Sequence, residues 1–273
     1  MKIDAHHHYW NPARGDYGWM EGAGLEKLRR PFLPLDFAPH LHALGINRTV
    51  LVQAAPTVQE TEYLLGIADT TDTVAKVVGW VDFENRDDLK HLQRWAKHPK
   101  FAGVRPMIQD IGDQEWMHRE DLRWAYDAII DLDLTFDALG YPLHIEGFQR
   151  LFERYPTMRT VVDHSLKPRI RDAAFETWAE GLARLAETTP VFCKFSGLIT
   201  EAQPEWTIET LRPYARHVID SFGPARVMWG SDWPVLELYG TYQNWHDAAE
   251  KIIAPEEREQ IFGTTAADFY RIK

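Results

Sequence analysis

The segment Lys2–Tyr9, which reads KIDAHHHY, decides between the two folds that alternate strand and helix along a chain. It has the length and composition of a β-strand, and Trp10 follows it directly. A doubly wound open sheet would be expected to carry a Gly-rich phosphate-binding loop after its first strand. Histidines, a tyrosine and a tryptophan occupy that position instead. The first strand therefore favours a (β/α)8 barrel over a doubly wound sheet.

Seven further short runs, rich in β-branched or aromatic residues, have the same character. They are Thr49–Ala54, Val74–Phe83, Phe101–Ile108, Leu132–Leu139, Thr160–His164, Val191–Leu198 and Arg226–Asp232. The segments between them with clear helical spacing are Thr57–Asp72, Arg119–Asp131 and Ile208–Phe222. Strand–helix units of this number fit a TIM barrel, which takes about 250 residues. We therefore predict one α/β barrel domain over residues 1–273, with a long loop after strand 1 at Trp10–Pro34.

The composition excludes several functional classes. Lys and Arg number 30 and Asp and Glu number 41, so the formal net charge is −11. This balance argues against a nucleic-acid partner, because phosphate binding needs clustered cations. No apolar run approaches the ~20 residues that span a bilayer, so no membrane partner is expected. Cys193 is the single cysteine, which excludes an intrachain disulfide and a cysteine-based zinc site.

The start of the chain lacks the pattern of a secretory signal, so we expect a cytoplasmic protein. The sequence leaves the oligomeric state open, and a homo-oligomer is compatible with it. A set of histidines in helical or loop segments is expected at the surface. These are His40, His42, His91, His98, His118, His217 and His246.

In a barrel, the active site lies at the carboxyl ends of the strands. Most of the predicted strands deliver an ionisable residue there, although core packing does not call for one, because unpaired buried charge is costly. These residues are His6 and His8 in strand 1, Arg105 in strand 4, Asp137 in strand 5, His164 in strand 6, Lys194 in strand 7 and Asp232 in strand 8. Their common position predicts that they form one site.

The pair His6 and His8 is the sharpest local signal. Side chains two apart on a strand share a face, so both imidazoles can address one metal ion or one substrate, while His7 points the other way. A polar strand end without function is the alternative interpretation of this segment.

Each of the other residues also has a structural alternative. His164 could be a packed core histidine, and Asp232 could form an Asx-turn or helix N-cap in its loop. Arg105 and Asp137 could form a structural ion pair. Lys194 could point toward the outer helices with its ammonium reaching solvent.

Taken in order, the motifs resemble the amidohydrolase-related family, and within it the sugar-lactonase branch of L-fucono- and L-rhamnono-lactonase-like proteins and 2-pyrone-4,6-dicarboxylate lactonases. The segments that carry the resemblance are Ile3–Trp10, Tyr17–Trp19, Gly103–Arg105, Phe136–Asp137, Val162–His164, Lys167–Pro168, Lys194–Leu198 and Trp229–Pro234. The resemblance covers nearly the whole chain. It implies a distorted TIM barrel that hydrolyses a lactone ester.

The resemblance also implies roles for the site residues. Asp232 matches the carboxylate that activates water, and His6, His8 and His164 match the histidines of strands 1 and 6. Binuclear members of the wider superfamily carry a bridging Lys in strand 4 and a His in strand 5, where this chain has Arg105 and an aspartate. This departure argues against a binuclear metal centre.

A single divalent ion, Zn or Mn, on His6, His8 and Asp232 and a metal-free site are both left open, and no organic cofactor is expected. We expect Asp232 to act as general base, with a pKa raised by burial beside Trp233. The histidines would polarise the lactone carbonyl, directly or through the ion.

The remaining candidates are expected to bind substrate. Arg105 would hold the developing oxyanion or a hydroxyl, Asp137 would accept hydrogen bonds from sugar hydroxyls, and Lys194 would also contact the substrate. The tryptophans expected to stack on a sugar ring are Trp10, Trp19, Trp80 and Trp233.

Rival functions stay open at this stage. A metal-dependent decarboxylase of the same superfamily, or a hydrolase of a different cyclic ester, would use a similar barrel. A non-catalytic sugar-binding protein would need the aromatic walls but not the convergence of histidines on Asp232.

Overall fold

The computed structural model describes residues 1–273 and contains one sheet of eight parallel strands whose order in space is their order in the chain. The strands are β1 Ile3–His7, β2 Arg48–Val52, β3 Val74–Gly79, β4 Phe101–Val104, β5 Thr135–Ala138, β6 Arg159–Val162, β7 Phe192–Phe195 and β8 Val227–Trp229. This order confirms the (β/α)8 barrel and excludes the doubly wound sheet, in which the strand order reverses.

Every observed strand ends earlier than the run that predicted it. The polar residues at these ends leave the hydrogen-bonded ladder and enter the loops at the mouth of the barrel. Arg105 follows β4 directly, and His164 lies two residues after β6. The predicted strands therefore extended too far, into the loops that carry the candidate site residues.

Ten α-helices surround the barrel or close its ends. They are α1 Pro34–Leu44, α2 Val58–Asp69, α3 Leu89–Trp95, α4 Arg123–Asp131, α5 Ile145–Arg154, α6 Glu176–Thr188, α7 Leu198–Glu201, α8 Ile208–Phe222, α9 Tyr242–Ile252 and α10 Thr265–Tyr270. The predicted bounds of α8 are correct, and Thr207 caps this helix by accepting the N–H of Thr210 at 3.2 Å. None of the helices has the length and apolarity needed to cross a bilayer.

The barrel closes through loop residues that follow β8. The N–H of Asp232 donates to the carbonyl of His6 at 2.8 Å, and the N–H of His8 donates to the carbonyl of Trp233 at 2.7 Å. These bonds fasten the loop after β8 to β1. The loop that carries Asp232 is consequently part of the barrel wall.

Asp4 also holds β1 against the loop that follows β8. Its fully buried carboxylate accepts the N–H of Ser231 at 2.9 Å and the N–H of His6 at 3.1 Å, and the hydroxyl of Tyr242 in α9 donates to it at 3.1 Å. One side chain thus fixes β1, the loop after β8 and an outer helix relative to one another.

A bulge in β1 turns the histidines inward. Ile3 and Ala5 pack inside the barrel, so strict alternation would direct His6 outward. The register between β1 and β2 shifts between Asp4 and His7, where β1 has one more residue than its partner. The extra residue directs His6 into the barrel directly after Ala5.

The lower half of the barrel is filled by apolar side chains and closed by α10. Phe269, Tyr270 and Ile272 pack against the interior residues of the strands. The interior residues of this cluster on the strands are Ile3, Ala5, Val50, Val52, Val78, Ala102, Val161 and Met228. The upper half of the interior is therefore the part left for polar groups.

The outer face of the barrel packs on the helices. In α9, Tyr242, Trp245, His246 and Ala249 are all buried, and His246 lies against the rings of Trp229 and of the neighbouring phenylalanine at position 262. The prediction that His246 lies at the surface is wrong. Its spacing of four residues from Tyr242 and three from Ala249 places it on the apolar face of the helix.

Candidate active site

A cavity of about 330 Å³ opens at the carboxyl ends of the strands. Of the predicted site residues, those that line it are His8, Trp10, Trp19, Arg105, His164 and Asp232. His6 lies beneath them and is fully buried. The structure therefore brings together predicted site residues that lie at or just after the carboxyl ends of β1, β4, β6 and β8.

The side chains of His6, His8 and Asp232 meet at one point. The Nε2 atoms of the two histidines are 3.3 Å apart, and Asp232 Oδ1 lies 3.2 Å from His8 Nε2 and 3.8 Å from His6 Nε2. His164 Nε2 approaches the same oxygen to 3.8 Å. Three imidazoles thus surround one carboxylate oxygen, while Asp232 Oδ2 accepts no hydrogen bond from the protein.

The backbone of β2 sets the orientation of His8. Its Nδ1–H donates to the carbonyl of Val52 at 2.8 Å, so Nε2 carries the lone pair and faces His6 and Asp232. His7 points away from this centre, as predicted, and its Nε2 lies 2.9 Å from the hydroxyl of Thr49.

The backbone segment that carries His164 has an unusual conformation. All four residues of His164–Lys167 have left-handed φ values, between 50° and 55°. Such a run is costly for non-glycine residues and persists only where packing enforces it. The indole of Trp178 donates to the carbonyl of Ser165 at 2.8 Å, and His164 Nδ1 lies 2.8 Å from the hydroxyl of Ser196. These contacts hold the turn and the imidazole together.

Gly197 follows Ser196 and leaves room for this imidazole. Its φ is +69°, and a Cβ atom there would lie 2.8 Å from the side chain of His164. Only glycine satisfies both the conformation and the close approach.

A cluster of buried charges lies under the cavity. Lys194 Nζ is 2.6 Å from Asp137 Oδ2 and 3.0 Å from Asp163 Oδ1. Arg105 Nη1 is 3.2 Å from Asp163 Oδ2, and the hydroxyl of Tyr270 in α10 donates to Asp137 at 2.7 Å. The two carboxylates and two cations thus alternate from the floor of the barrel to the cavity.

This arrangement corrects three interpretations of the sequence. Lys194 points into the barrel and not toward the outer helices. Arg105 pairs with Asp163 and not with Asp137. Asp137 and Lys194 are fully buried and do not line the cavity, so their position does not support the predicted contacts with substrate. Asp163, which connects the two cations, was missed, although its place beside His164 at the end of a strand is a usable signal.

The pKa values of the two buried carboxylates, Asp163 and Asp137, shift in opposite directions. Burial alone would raise the pKa of Asp163, but the positive charges of Lys194 and Arg105 hold it well below its usual value. Burial raises the pKa of Asp137, against the opposing effect of Lys194. Burial also lowers the pKa of His6 well below its usual value, so this imidazole is neutral at pH 7.

The pKa of Asp232 differs from the value expected from the sequence. Burial would raise its pKa, but the neighbouring imidazoles of His164 and His8 bring the pKa below its usual value. The prediction of a raised pKa is therefore wrong, and Asp232 is ionised at neutral pH. Burial lowers the pKa of His164 to about 4, so this histidine is neutral under the same conditions.

The four predicted tryptophans divide into two groups. Trp10 and Trp19 line the cavity and contact each other edge to face, with ring centroids 5.5 Å apart. Trp233 is buried outside the cavity and stacks on Phe37 at 4.4 Å, because its loop turns toward α1. Trp80 lines a neighbouring cavity. The predicted contact of Trp80 and Trp233 with a sugar in the central cavity is not supported by their positions.

The predicted long loop at Trp10–Pro34 is present and is fastened to the barrel. The backbone of Trp10 pairs with that of Phe32, and its indole donates to the carbonyls of Leu28 and Arg30, both at 3.1 Å. The indole of Trp19 donates to the carbonyl of Ala54 at 2.8 Å. The loop thus forms one fixed wall of the cavity.

Glu60, in the first turn of α2, supports this wall and was missed in the sequence. Its buried carboxylate accepts the N–H of Ala54 at 3.0 Å and the N–H of Ala55 at 2.7 Å. Ala54 in turn accepts the indole N–H of Trp19. Burial raises the pKa of Glu60 to about 8.

Lys167 forms the opposite side of the cavity. Its ammonium donates to Gln109 Oε1 at 2.5 Å and lies 5.2 Å above the ring of Tyr141. The sequence placed Lys167 in a motif but assigned it no role. All three side chains line the cavity, which gives it a polar edge facing the tryptophan wall.

The residues at the centre fit a single divalent metal ion. Tetrahedral zinc with bonds of about 2.0–2.2 Å places its ligand atoms roughly 3.3–3.6 Å apart. The separations among the donor atoms of His6, His8 and Asp232 lie between 3.2 and 3.8 Å. The guanidinium of Arg105 lies beside the same donor set, with Nη1 3.3 Å from His6 Nε2.

Comparison with known sequences identifies the family of this chain. A sequence model described as amidohydrolase matches residues 3–272, which is nearly the full length. The chain belongs to the amidohydrolase family. The family predicted from the strand-end motifs is thus confirmed.

Named relatives of this amidohydrolase are similar over their whole length. An L-fucono-1,5-lactonase of Burkholderia ambifaria is 41% identical over 279 residues, covering 100% of this chain and 96% of the relative. An L-fucono-1,5-lactonase of Burkholderia multivorans is 32% identical with the same coverage. A crystal structure of a Burkholderia multivorans amidohydrolase with bound zinc has a TM-score of 0.93 at 31% identity and covers 100% of both chains.

We expect the Asp163→Asn variant of this amidohydrolase to lose about 3–5 kcal/mol of unfolding free energy, because it leaves Lys194 and Arg105 buried with one carboxylate fewer. Urea denaturation measures the loss. The matched control is Asp121→Asn, whose exposed carboxylate pairs with Arg119 and which should cost less than about 1 kcal/mol. Equal stabilities of the two variants would contradict the role of Asp163.

We expect Glu60→Gln to change the pH dependence of stability. The folded-state pKa of Glu60 is about 8, against a usual value of 4.5, so the folded protein retains a proton that the unfolded chain has released. This contribution is fully present below pH 4.5 and is lost as the pH rises through 8.

Between pH 5.5 and 7.5 the wild type should therefore lose up to ~1.4 kcal/mol per pH unit relative to Glu60→Gln, which cannot ionise. Denaturant unfolding at several pH values checks this, with the exposed Glu256→Gln as control. Parallel profiles for wild type and Glu60→Gln would show that Glu60 is ionised in the folded protein.

Proposed function

We propose that this amidohydrolase hydrolyses a sugar-acid lactone, such as an L-fucono- or L-rhamnono-type aldonolactone, to the open hydroxy acid. The convergence of His6, His8 and His164 on the carboxylate of Asp232 carries the proposal. The tryptophan wall beside it suits the apolar face of a sugar ring. Relatives named L-fucono-1,5-lactonase, at 41% and 32% identity over the full chain, support the same reaction class.

Asp232 is the proposed general base. Its Oδ1 is surrounded by imidazoles, whereas Oδ2 makes no hydrogen bond within the protein and is available to a water molecule. The lowered pKa keeps the carboxylate ionised at neutral pH, which is the state that accepts a proton. Water oxygen adds to the lactone carbonyl carbon as its proton passes to Asp232. The ring C–O bond then breaks, and the ring oxygen leaves as a hydroxyl group after gaining a proton.

Arg105 supplies charge stabilisation in this proposal. Its guanidinium lines the cavity, is tied to Asp163 and lies 3.3 Å from His6 Nε2. A fixed cation at this position favours the negative charge that develops on the carbonyl oxygen. Because the buried carboxylate of Asp163 holds the guanidinium, little reorganisation is needed when the charge forms.

His6, His8 and Asp232 are the residues that would hold one divalent ion, with zinc supported by the zinc-bound relative. When bound, such an ion polarises a carbonyl oxygen as a Lewis acid. His164 is not part of this donor group: its Nδ1 is held by Ser196, and its Nε2 faces Asp232 Oδ1 at 3.8 Å. We assign it to substrate contact and proton transfer.

We expect Asp232→Asn to lower kcat by at least ~10³-fold, because it removes the base and leaves the fold of the loop intact. Proton release from a panel of aldonolactones that differ in hydroxyl stereochemistry measures both the activity and the preferred lactone. Circular dichroism checks that the variant is folded. A variant with nearly full activity would refute the assignment.

We expect removal of the metal with a chelator to lower the rate, and Zn²⁺ or Mn²⁺ to restore it. Bound metal and rate are measured on the same samples. His8→Ala should lose the metal together with activity, whereas His91→Ala, a surface control, should retain both. A metal-free enzyme at full rate would rule out a catalytic ion.

A further inference from the structure

A second cavity, of about 430 Å³, adjoins the first at the carboxyl ends of β3 and β4. Met107 and Asp110 line both cavities and form the rim between them. A methionine side chain is flexible and adapts to what lies against it. A molecule bound in the central cavity can therefore extend across this rim.

Trp80 is the distinctive group of the second cavity. Nine of the eleven tryptophans donate their indole N–H to a protein acceptor. Of the other two, Trp229 is fully buried, whereas Trp80 is half-buried and lines the cavity. Trp80 thus offers both a ring face and a free hydrogen-bond donor. Trp116 adds a second indole to the lining.

The polar groups of this cavity are mostly acceptors. Asp82 and Asp113 each use one carboxylate oxygen to accept a local backbone N–H at 2.9 Å and keep the other free. Asp110 on the rim accepts no hydrogen bond from the protein, and Arg119 is already paired with Glu84. An excess of carboxylates repels an anionic ligand, while hydroxyl groups donate to carboxylates readily. Aromatic faces beside such acceptors suit a neutral sugar.

We propose that the second cavity is a sugar subsite that continues the lactone cavity, so that the enzyme accepts an aldonolactone carrying a glycosyl substituent. This inference rests on the proposed lactonase function. The lactone ring occupies the central cavity, and the attached sugar lies across Met107 on Trp80. Only the lactone ester opens, and the glycosidic bond is untouched. The product is a glycosylated aldonic acid.

The test compares matched substrates. The parent is the best monosaccharide 1,5-lactone from the aldonolactone panel, and the probes are its 2-O-, 3-O- and 4-O-β-glucosyl derivatives. Proton release gives kcat/KM for each. At least one derivative should have a kcat/KM equal to or above that of the parent. If the parent is hydrolysed and every derivative is at least tenfold poorer, the subsite is refuted while the lactonase function stands. If no lactone is hydrolysed, the proposed function itself fails.

Variants of residues that line the second cavity test whether the attached sugar binds there. Trp80→Leu should lower kcat/KM about tenfold for the accepted derivative through loss of stacking, and leave the parent within twofold. Asp82→Asn retains the acceptor oxygen for the backbone of residue 84 and should lower the same value severalfold by weakening a sugar contact. Trp206→Leu, a half-buried tryptophan outside both cavities, is the control and should change neither. Equal losses on parent and derivative in Trp80→Leu would overturn the proposal.

Discussion

The ammonium of Lys194, held between the carboxylates of Asp137 and Asp163 at 2.6 and 3.0 Å, is the interaction on which the site depends. Asp163 also holds Arg105, and both cations flank the neutral imidazole of His6. Buried charges of this kind contribute little net stability compared with apolar packing, because desolvation offsets their attraction. Their value here is positional: four charges fix one another under the cavity and leave His6 no freedom to turn away from Asp232.

The sequence predicted the barrel, its strand order and most residues at its mouth, because strand periodicity and unusual polar strand ends are local properties. It did not predict which of these residues pair. Arg105, Asp137 and Lys194 are close to one another only because β4, β5 and β7 converge in the barrel, and Asp163 on the next loop decides the pairing. The side chains of His6 and His8 lie together, as their spacing predicted, although the bulge that turns them inward leaves no signal in the pattern.

Loop-borne residues were harder to predict. Trp10 and Trp19 reach the cavity because hydrogen bonds to backbone carbonyls fix their loop, and no residue type in the sequence announces those bonds. Trp233 was predicted beside the substrate but stacks on Phe37. The pKa of Asp232 was also hard to predict. Its burial could be anticipated from its position, whereas the imidazoles of His164 and His8 that outweigh burial come from two other segments of the chain.

The hydrogen bond from Tyr270 to Asp137 has a consequence for biosynthesis. Tyr270 follows the histidines of β1 in the chain and therefore leaves the ribosome after them, yet its hydroxyl completes the charged layer beneath those histidines. A nascent chain that lacks α10 has an open barrel floor, which exposes Asp137 and the apolar strand residues that α10 covers, such as Val161 and Met228, to water. The charged layer beneath the cavity can therefore be completed only after translation has passed α10.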